Sequence, residues 1–139
     1  MKKICYIVVL ISVLACSSHK NTVANKVLYE VLYEADEGGN HFKFYEMVTN
    51  AKEFKMLLND PNLKKKVHST DIEKANYILI NLGEKEHKGY KIKFESVQET
   101  EQNIVIKIQE IPSRSKVVEI CKPFFIIKIN SKKEIVITD

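Results

Sequence analysis

The side chains of this chain that could do chemistry are few and scattered. His68, Ser69 and Asp71 lie close together and are the residue types of an acyl-transfer triad, in which an oriented imidazole withdraws the serine proton. No G-x-S-x-G elbow surrounds Ser69 and no glycine flanks it, so the pattern lacks the sharp turn that would present such a nucleophile. His19, His41, His68 and His87 are spaced too irregularly to share a strand face or a helix turn. Zinc sites usually show at least one close ligand pair, and Cys121 has no cysteine or histidine beside it. A phosphate-cradling glycine loop is absent, and Asp36-Glu37 lacks the alternating oxygen ligands of a calcium loop. These patterns predict no catalytic residue, no metal and no cofactor.

The cysteines suggest chemistry of another kind. Lys2 and Lys3 precede an almost unbroken apolar run, Ile4 to Leu14, that ends at Ala15 before Cys16, which is the charge, apolar core and small-residue order of a secretory signal. The run is shorter than the roughly 20 residues that cross a bilayer. Val13-Leu14-Ala15-Cys16 resembles a lipobox, with Leu14 the less usual residue. That resemblance implies removal of residues 1–15 and a diacylglycerol on the Cys16 sulfur, an anchor worth about 0.8 kcal/mol per buried CH₂. The alternative is a plain secretory signal with a chance cysteine. Ser17, where Asp would favour the inner membrane, implies by the same kind of resemblance a lipid-anchored protein of the cell envelope, at the outer membrane. Cys5 would leave with the signal, so Cys121 would be the remaining thiol. No intrachain disulfide could form, and Cys121 would be either a small core residue or an exposed thiol.

The full chain has 22 basic and 18 acidic residues, a net charge of +4. Loss of Lys2 and Lys3 with the signal leaves 20 against 18, or +2. Lysines are scattered among glutamates and form no one-signed face, and aromatic residues do not interleave with them, so nucleic acid is not an expected partner. The run Lys64-Lys65-Lys66 suits a solvated loop.

Elements can be placed from periodicity. Residues 16–25 are polar and aperiodic and suit a lipidated tether, with one domain over 26–139. Two β-like runs, Val27 to Glu34 and His41 to Val48, flank Asp36-Glu37-Gly38-Gly39-Asn40, a pattern that predicts a hairpin. Asn50 and Glu53 form a capping-box-like start, and Ala51, Phe54, Leu57 and Leu58 recur at helical spacing until Asp60-Pro61. Asn76 to Leu82 is a nearly continuous apolar run and suits a central strand. Tyr90, Ile92 and Phe94, then Ile104, Ile106 and Ile108, alternate with polar residues. Phe124 to Ile129 and Ile135 to Thr138 supply two more strands. The expected fold is mainly β with one short helix, a β-sandwich or open barrel of about seven strands.

One local feature is distinctive. Gly83-Glu84-Lys85-Glu86-His87-Lys88-Gly89-Tyr90 joins two strongly apolar strands, with glycine at both ends. It suits a simple hairpin loop with Tyr90 anchored in the core. The other reading is a recognition loop, since residues framed by strong strands bind without a large ordering cost.

The order Asp71-Ile72-Glu73-Lys74, Ile78-Leu79-Ile80-Asn81-Leu82-Gly83-Glu84-Lys85 and Gly89-Tyr90-Lys91-Ile92 resembles the PrcB C-terminal domain family, named for a subunit of a bacterial surface protease complex. Val105 to Ile108, Pro112 and Lys122-Pro123-Phe124 continue the resemblance, which spans 42–130 and is strongest over 71–130. The family's Thr-Gly-Gly-Tyr turn is His87-Lys88-Gly89-Tyr90 here, keeping the second glycine and the tyrosine. The resemblance implies a noncatalytic lipoprotein that associates with an envelope protease. Gly83, Glu84, His87, Lys88, Gly89 and Tyr90, with Pro123 and Phe124 as neighbours, would then form the contact. Tyr90 would support the loop while His87 and Lys88 face the partner. The competing expectation is a ligand-binding or structural envelope protein that uses the interior of the β-fold.

Overall fold

The computed structural model describes residues 27–138. The signal 1–15, Cys16 with its tether to residue 25, and residue 26 at the start of the domain lie outside those residues.

Among the described residues, β1 (Tyr29–Ala35), β2 (Lys43–Val48), β3 (Asn76–Leu82) and β6 (Phe124–Ile129) form one sheet in the order β1-β6-β3-β2. β4 (Lys91–Glu99), β5 (Asn103–Ile111) and β7 (Glu134–Thr138) form a second, in the order β4-β5-β7. Neighbouring strands are antiparallel except β5 and β7. The domain is a sandwich and not an open barrel.

β3 is buried on both faces along its whole length, in keeping with an apolar run interrupted by Asn76 and Asn81 alone. Ile78, Ile80 and Leu82 meet Phe125, Ile127 and Ile129 of β6 and Ile104, Ile106 and Ile108 of β5, forming the core between the sheets. Each of these side chains contributes roughly 1.5–3 kcal/mol by leaving water. The alternate residues Tyr77 and Leu79 face the other way, into a second core with Phe54, Leu57, Leu63, Val67 and Ile72.

α1 (Ala51–Leu58) supplies Phe54 and Leu57 to that second core. It starts where the Asn50 carboxamide accepts the Glu53 N–H at 3.1 Å and the Glu53 carboxylate accepts the Thr49 N–H at 3.2 Å, a capping box displaced by one residue. The predicted stripe holds at Phe54 and Leu57, with Leu58 half-buried and Ala51 exposed. Lys64, Lys65 and Lys66 are exposed.

β1 and β2 do not form the predicted hairpin. They occupy opposite edges of their sheet, because β3 and β6 are the strands apolar enough to be covered on both faces. The edges fall to the strands carrying exposed Glu30, Glu34, Lys43 and Glu46. The intervening chain crosses the ends of β6 and β3, where Gly39 N–H donates to the Lys122 carbonyl at 3.0 Å and Asn40 N–H to the buried Asn81 carboxamide at 2.9 Å. Residues 83–90 likewise form no hairpin loop, since β3 and β4 belong to different sheets.

Candidate functional site

Three connections meet where β3 leaves its sheet: residues 36–42, residues 83–90 and residues 112–122. Gly83 turns the chain with φ +80°, and a side chain there would come 3.0 Å from the Lys43 nitrogen and 3.2 Å from the Phe42 carbonyl carbon. Only glycine meets both the conformation and the close approach. Glu84 then donates its N–H to the His41 carbonyl at 3.1 Å.

From Lys85 onward the segment is held by the chain that precedes β6. Lys85 and Cys121 exchange both main-chain hydrogen bonds, at 2.9 and 3.0 Å, and Glu119 N–H reaches the Glu86 carbonyl at 2.8 Å. The His87 Nδ1 lies 2.8 Å from the Val117 carbonyl, to which it donates as the protonated nitrogen. The Lys88 ammonium pairs with Glu119, and that hydrogen bond, with the nearby Asp36 and Glu37 carboxylates, raises the Lys88 pKa. Gly89, at φ +94°, donates its N–H to Asp36 Oδ1 at 2.7 Å. Ser113 Oγ donates to the Lys88 carbonyl.

The site residues expected from sequence therefore fall into two groups. Gly83, Glu84, His87, Lys88 and Gly89 lie on one continuous segment at this end of the sandwich. The side chains of His87 and Lys88 are half-buried and engaged with Val117 and Glu119. Tyr90 packs against the core between the sheets, with the Lys85 ammonium 5.1 Å from its ring centroid. Pro123 is buried, and its carbonyl accepts the Leu82 N–H at 3.2 Å. Phe124 is half-buried and packs on the helix-side core, its ring 6.4 Å from that of Tyr33 in an edge-on arrangement.

Several residues at this end escaped the sequence reading. His41 Nδ1 is 2.9 Å from Glu84 Oε2, and its Nε2 is 3.2 Å from the Lys122 ammonium. Both contacts fit a neutral imidazole that donates to the carboxylate and accepts from the ammonium. Phe42 is exposed beside Gly83, its ring 5.5 Å from that of Phe44. Val117, Val118 and Ile120 are 68%, 70% and 54% exposed. Their signal was an apolar run without alternation inside a stretch that otherwise looked irregular.

Cys121 is buried, its thiol 3.3 Å from the His87 carbonyl. Burial, reinforced by Asp36 and Glu37, raises its pKa and opposes thiolate chemistry. Asp71 turns away from any triad role: its carboxylate accepts the main-chain N–H of His68 at 3.0 Å and faces the Lys128 ammonium at 3.3 Å. Among the described residues, no group of three or more histidine, cysteine or acidic side chains could hold a metal ion, and no pocket opens between the sheets.

Comparison with known proteins shows that residues 76–130 match the family described as PrcB C-terminal. The resemblance read from the sequence is thus shown over a narrower stretch than 42–130 and less than half of the chain. That stretch runs from the first residue of β3 to just past β6, so it contains the loop 83–90 and the segment that braces it. No curated protein and no solved structure matches significantly.

Proposed function

We propose, from the premise that residues 76–130 match the PrcB C-terminal family, that this protein is a noncatalytic accessory subunit of an envelope protease complex. On this reading Cys16 carries lipid and holds the domain at the outer membrane, and the end of the sandwich formed by 83–90 and 112–122 binds the protease. The observation that carries the reading is the family match, which contains both of those segments. Their hydrogen bonding supports it, because a surface braced at Lys85–Cys121, Glu86–Glu119 and His87–Val117 loses little conformational freedom on binding.

The test is crosslinking of the full lipidated chain in intact cells, followed by capture and identification of the attached proteins by mass spectrometry. Recovery of a secreted or envelope protease, reduced at least tenfold by His87→Ala with Lys88→Ala, is the expected result. Reproducible capture of this protein without any protease would refute the accessory role. Undiminished recovery with the double substitution would remove those two residues from the contact.

A further inference from the structure

Residues 112–116, Pro-Ser-Arg-Ser-Lys, are the longest run among the described residues that lies outside every helix and strand and makes no turn or bend. The chain leaves β5 at Ile111 and bends next at Val117. Ser113 is half-buried and the other four residues are exposed.

The backbone of this run is open as well. Ser113 Oγ accepts the Ser115 N–H at 3.0 Å and Ser115 Oγ accepts the Val117 N–H at 3.2 Å. Arg114 and Lys116 make no main-chain hydrogen bond with a described residue. Arg114 is the single arginine among the 22 basic residues of the chain, and its guanidinium makes no ion pair with a described residue.

No described lysine matches that combination. Apart from Lys116, each lies in a helix, strand, turn, bend or bridge, or is held by its neighbours, as Lys122 is by Gly39 and Lys132 by Thr49 and Asn76. Lys116 is followed at once by the bend at Val117, whose carbonyl is held by His87. Arg114 therefore has unbent, accessible chain on both sides.

Exposed stretches of small and polar residues are the preferred places of proteolytic cutting, and an extended segment can pair its free main-chain groups with a binding cleft. A carboxylate at the base of a protease specificity pocket selects a basic side chain, and a guanidinium can meet it through two parallel N–H bonds. We propose that the Arg114–Ser115 bond is a processing site, cut by an endoprotease whose specificity pocket holds a basic side chain on a carboxylate. The reaction consumes one water: its hydroxyl joins the Arg114 carbonyl carbon, the C–N bond breaks, and the proton passes to the Ser115 nitrogen. At neutral pH the new ends are a carboxylate and an ammonium. The inference goes beyond the accessory role and does not rest on it.

The cut chain stays together. One piece carries β1 to β5 and the other β6 and β7. β6 lies between β1 and β3 with Phe125, Ile127 and Ile129 buried, and β7 pairs with β5. Lys85 and Cys121 also join the two pieces. The change is local: Ser113, which holds the Lys88 carbonyl, and Ser115, which holds the Val117 N–H, pass to different pieces. The brace over residues 83–90 loosens on that side.

The test has two measurements. The intact full chain is treated briefly with trypsin, and cuts within residues 27–138 are timed by mass spectrometry. The first should follow Arg114. Arg114→Gln should slow it at least about a hundredfold, since a pocket built to pair a charge rejects a neutral side chain, and Arg114→Lys should retain it. In the cells that naturally make this protein, mass spectrometry of labelled amino termini should find one at Ser115, absent with Arg114→Gln and present with Arg114→Lys. The pieces should run together on a native gel and apart on a denaturing one.

A first trypsin cut elsewhere within 27–138, an uncut chain in those cells, or a Ser115 terminus that persists with Arg114→Gln would overturn the proposal. Pieces that separate on the native gel would overturn the claim that the cut chain holds together.

Discussion

Gly39 donates its N–H to the Lys122 carbonyl at 3.0 Å, and its α-carbon lies so close that a Cβ would sit 2.7 Å from the same oxygen. The crossing chain thus reaches the end of β6 only because residue 39 has no side chain. Gly39→Ala must push the strap 36–42 off the strand ends, against backbone that cannot yield, at about 1–3 kcal/mol. Gly38 has open space around it and a φ of +102°, so Gly38→Ala should cost only about 1 kcal/mol, through backbone strain. Urea midpoints of the two variants test the difference; an equal loss would contradict the close-approach explanation.

Tyr77 is wholly buried, stacks on Phe54 with ring centroids 4.8 Å apart, and has a hydroxyl without a hydrogen-bond partner among the described residues. Burial, with Asp71 and Glu30 nearby, pushes the phenol pKa well above the tyrosine value, so the group stays neutral. An orphaned buried hydroxyl costs about 1–3 kcal/mol in desolvation, part of which Tyr77→Phe should recover while keeping the stack. Equilibrium unfolding should show a gain of roughly 1 kcal/mol. A loss would mean that the hydroxyl is satisfied in solution.

Asp71 ties the 3-10 turn at Asp71–Glu73 to β6 through Lys128. Burial acts to raise its pKa, but the His68 N–H and the Lys128 ammonium together hold it below the ordinary carboxylate value. A depressed folded-state pKa stabilises the protein above the unfolded value of about 3.9 and loses that contribution as pH falls through the lower folded value. Asp71→Asn should therefore lower stability at neutral pH and flatten its fall in acid. Parallel acid-unfolding curves for the two proteins would contradict this.

Cys121 should react slowly. Its raised pKa and its place beneath the bridge to Lys85 predict alkylation by iodoacetamide at pH 8 at least about tenfold slower in the native protein than in urea. Lys88→Ala, which leaves the bridge intact, should change that rate little. Fast native labelling would show that residues 85–87 and 119–121 separate readily.

The core was legible because periodicity reports burial directly. The nearly continuous apolar run Asn76 to Leu82 announced a strand covered on both faces, and the alternation at Ile104, Ile106 and Ile108 announced one wet face. The partners of each strand were not legible, because glycine between two β-like runs signals a turn and equally signals a close approach. At Gly39 the second meaning holds. The loop 83–90 was found from its framing glycines, but its bracing residues, Val117, Glu119 and Cys121, lie about thirty positions away. No local pattern links residues that distant. The contact of His41 with Glu84 and Lys122 was hidden for the same reason.

The most direct measurement is native-gel zymography of envelope fractions from cells with and without this protein, using casein as substrate. An accessory subunit predicts that a proteolytic band present with the protein shifts to a lower mass or disappears without it, and returns on re-expression of the full chain. Proteolytic bands unchanged in mass and intensity after its removal would contradict membership of a protease complex.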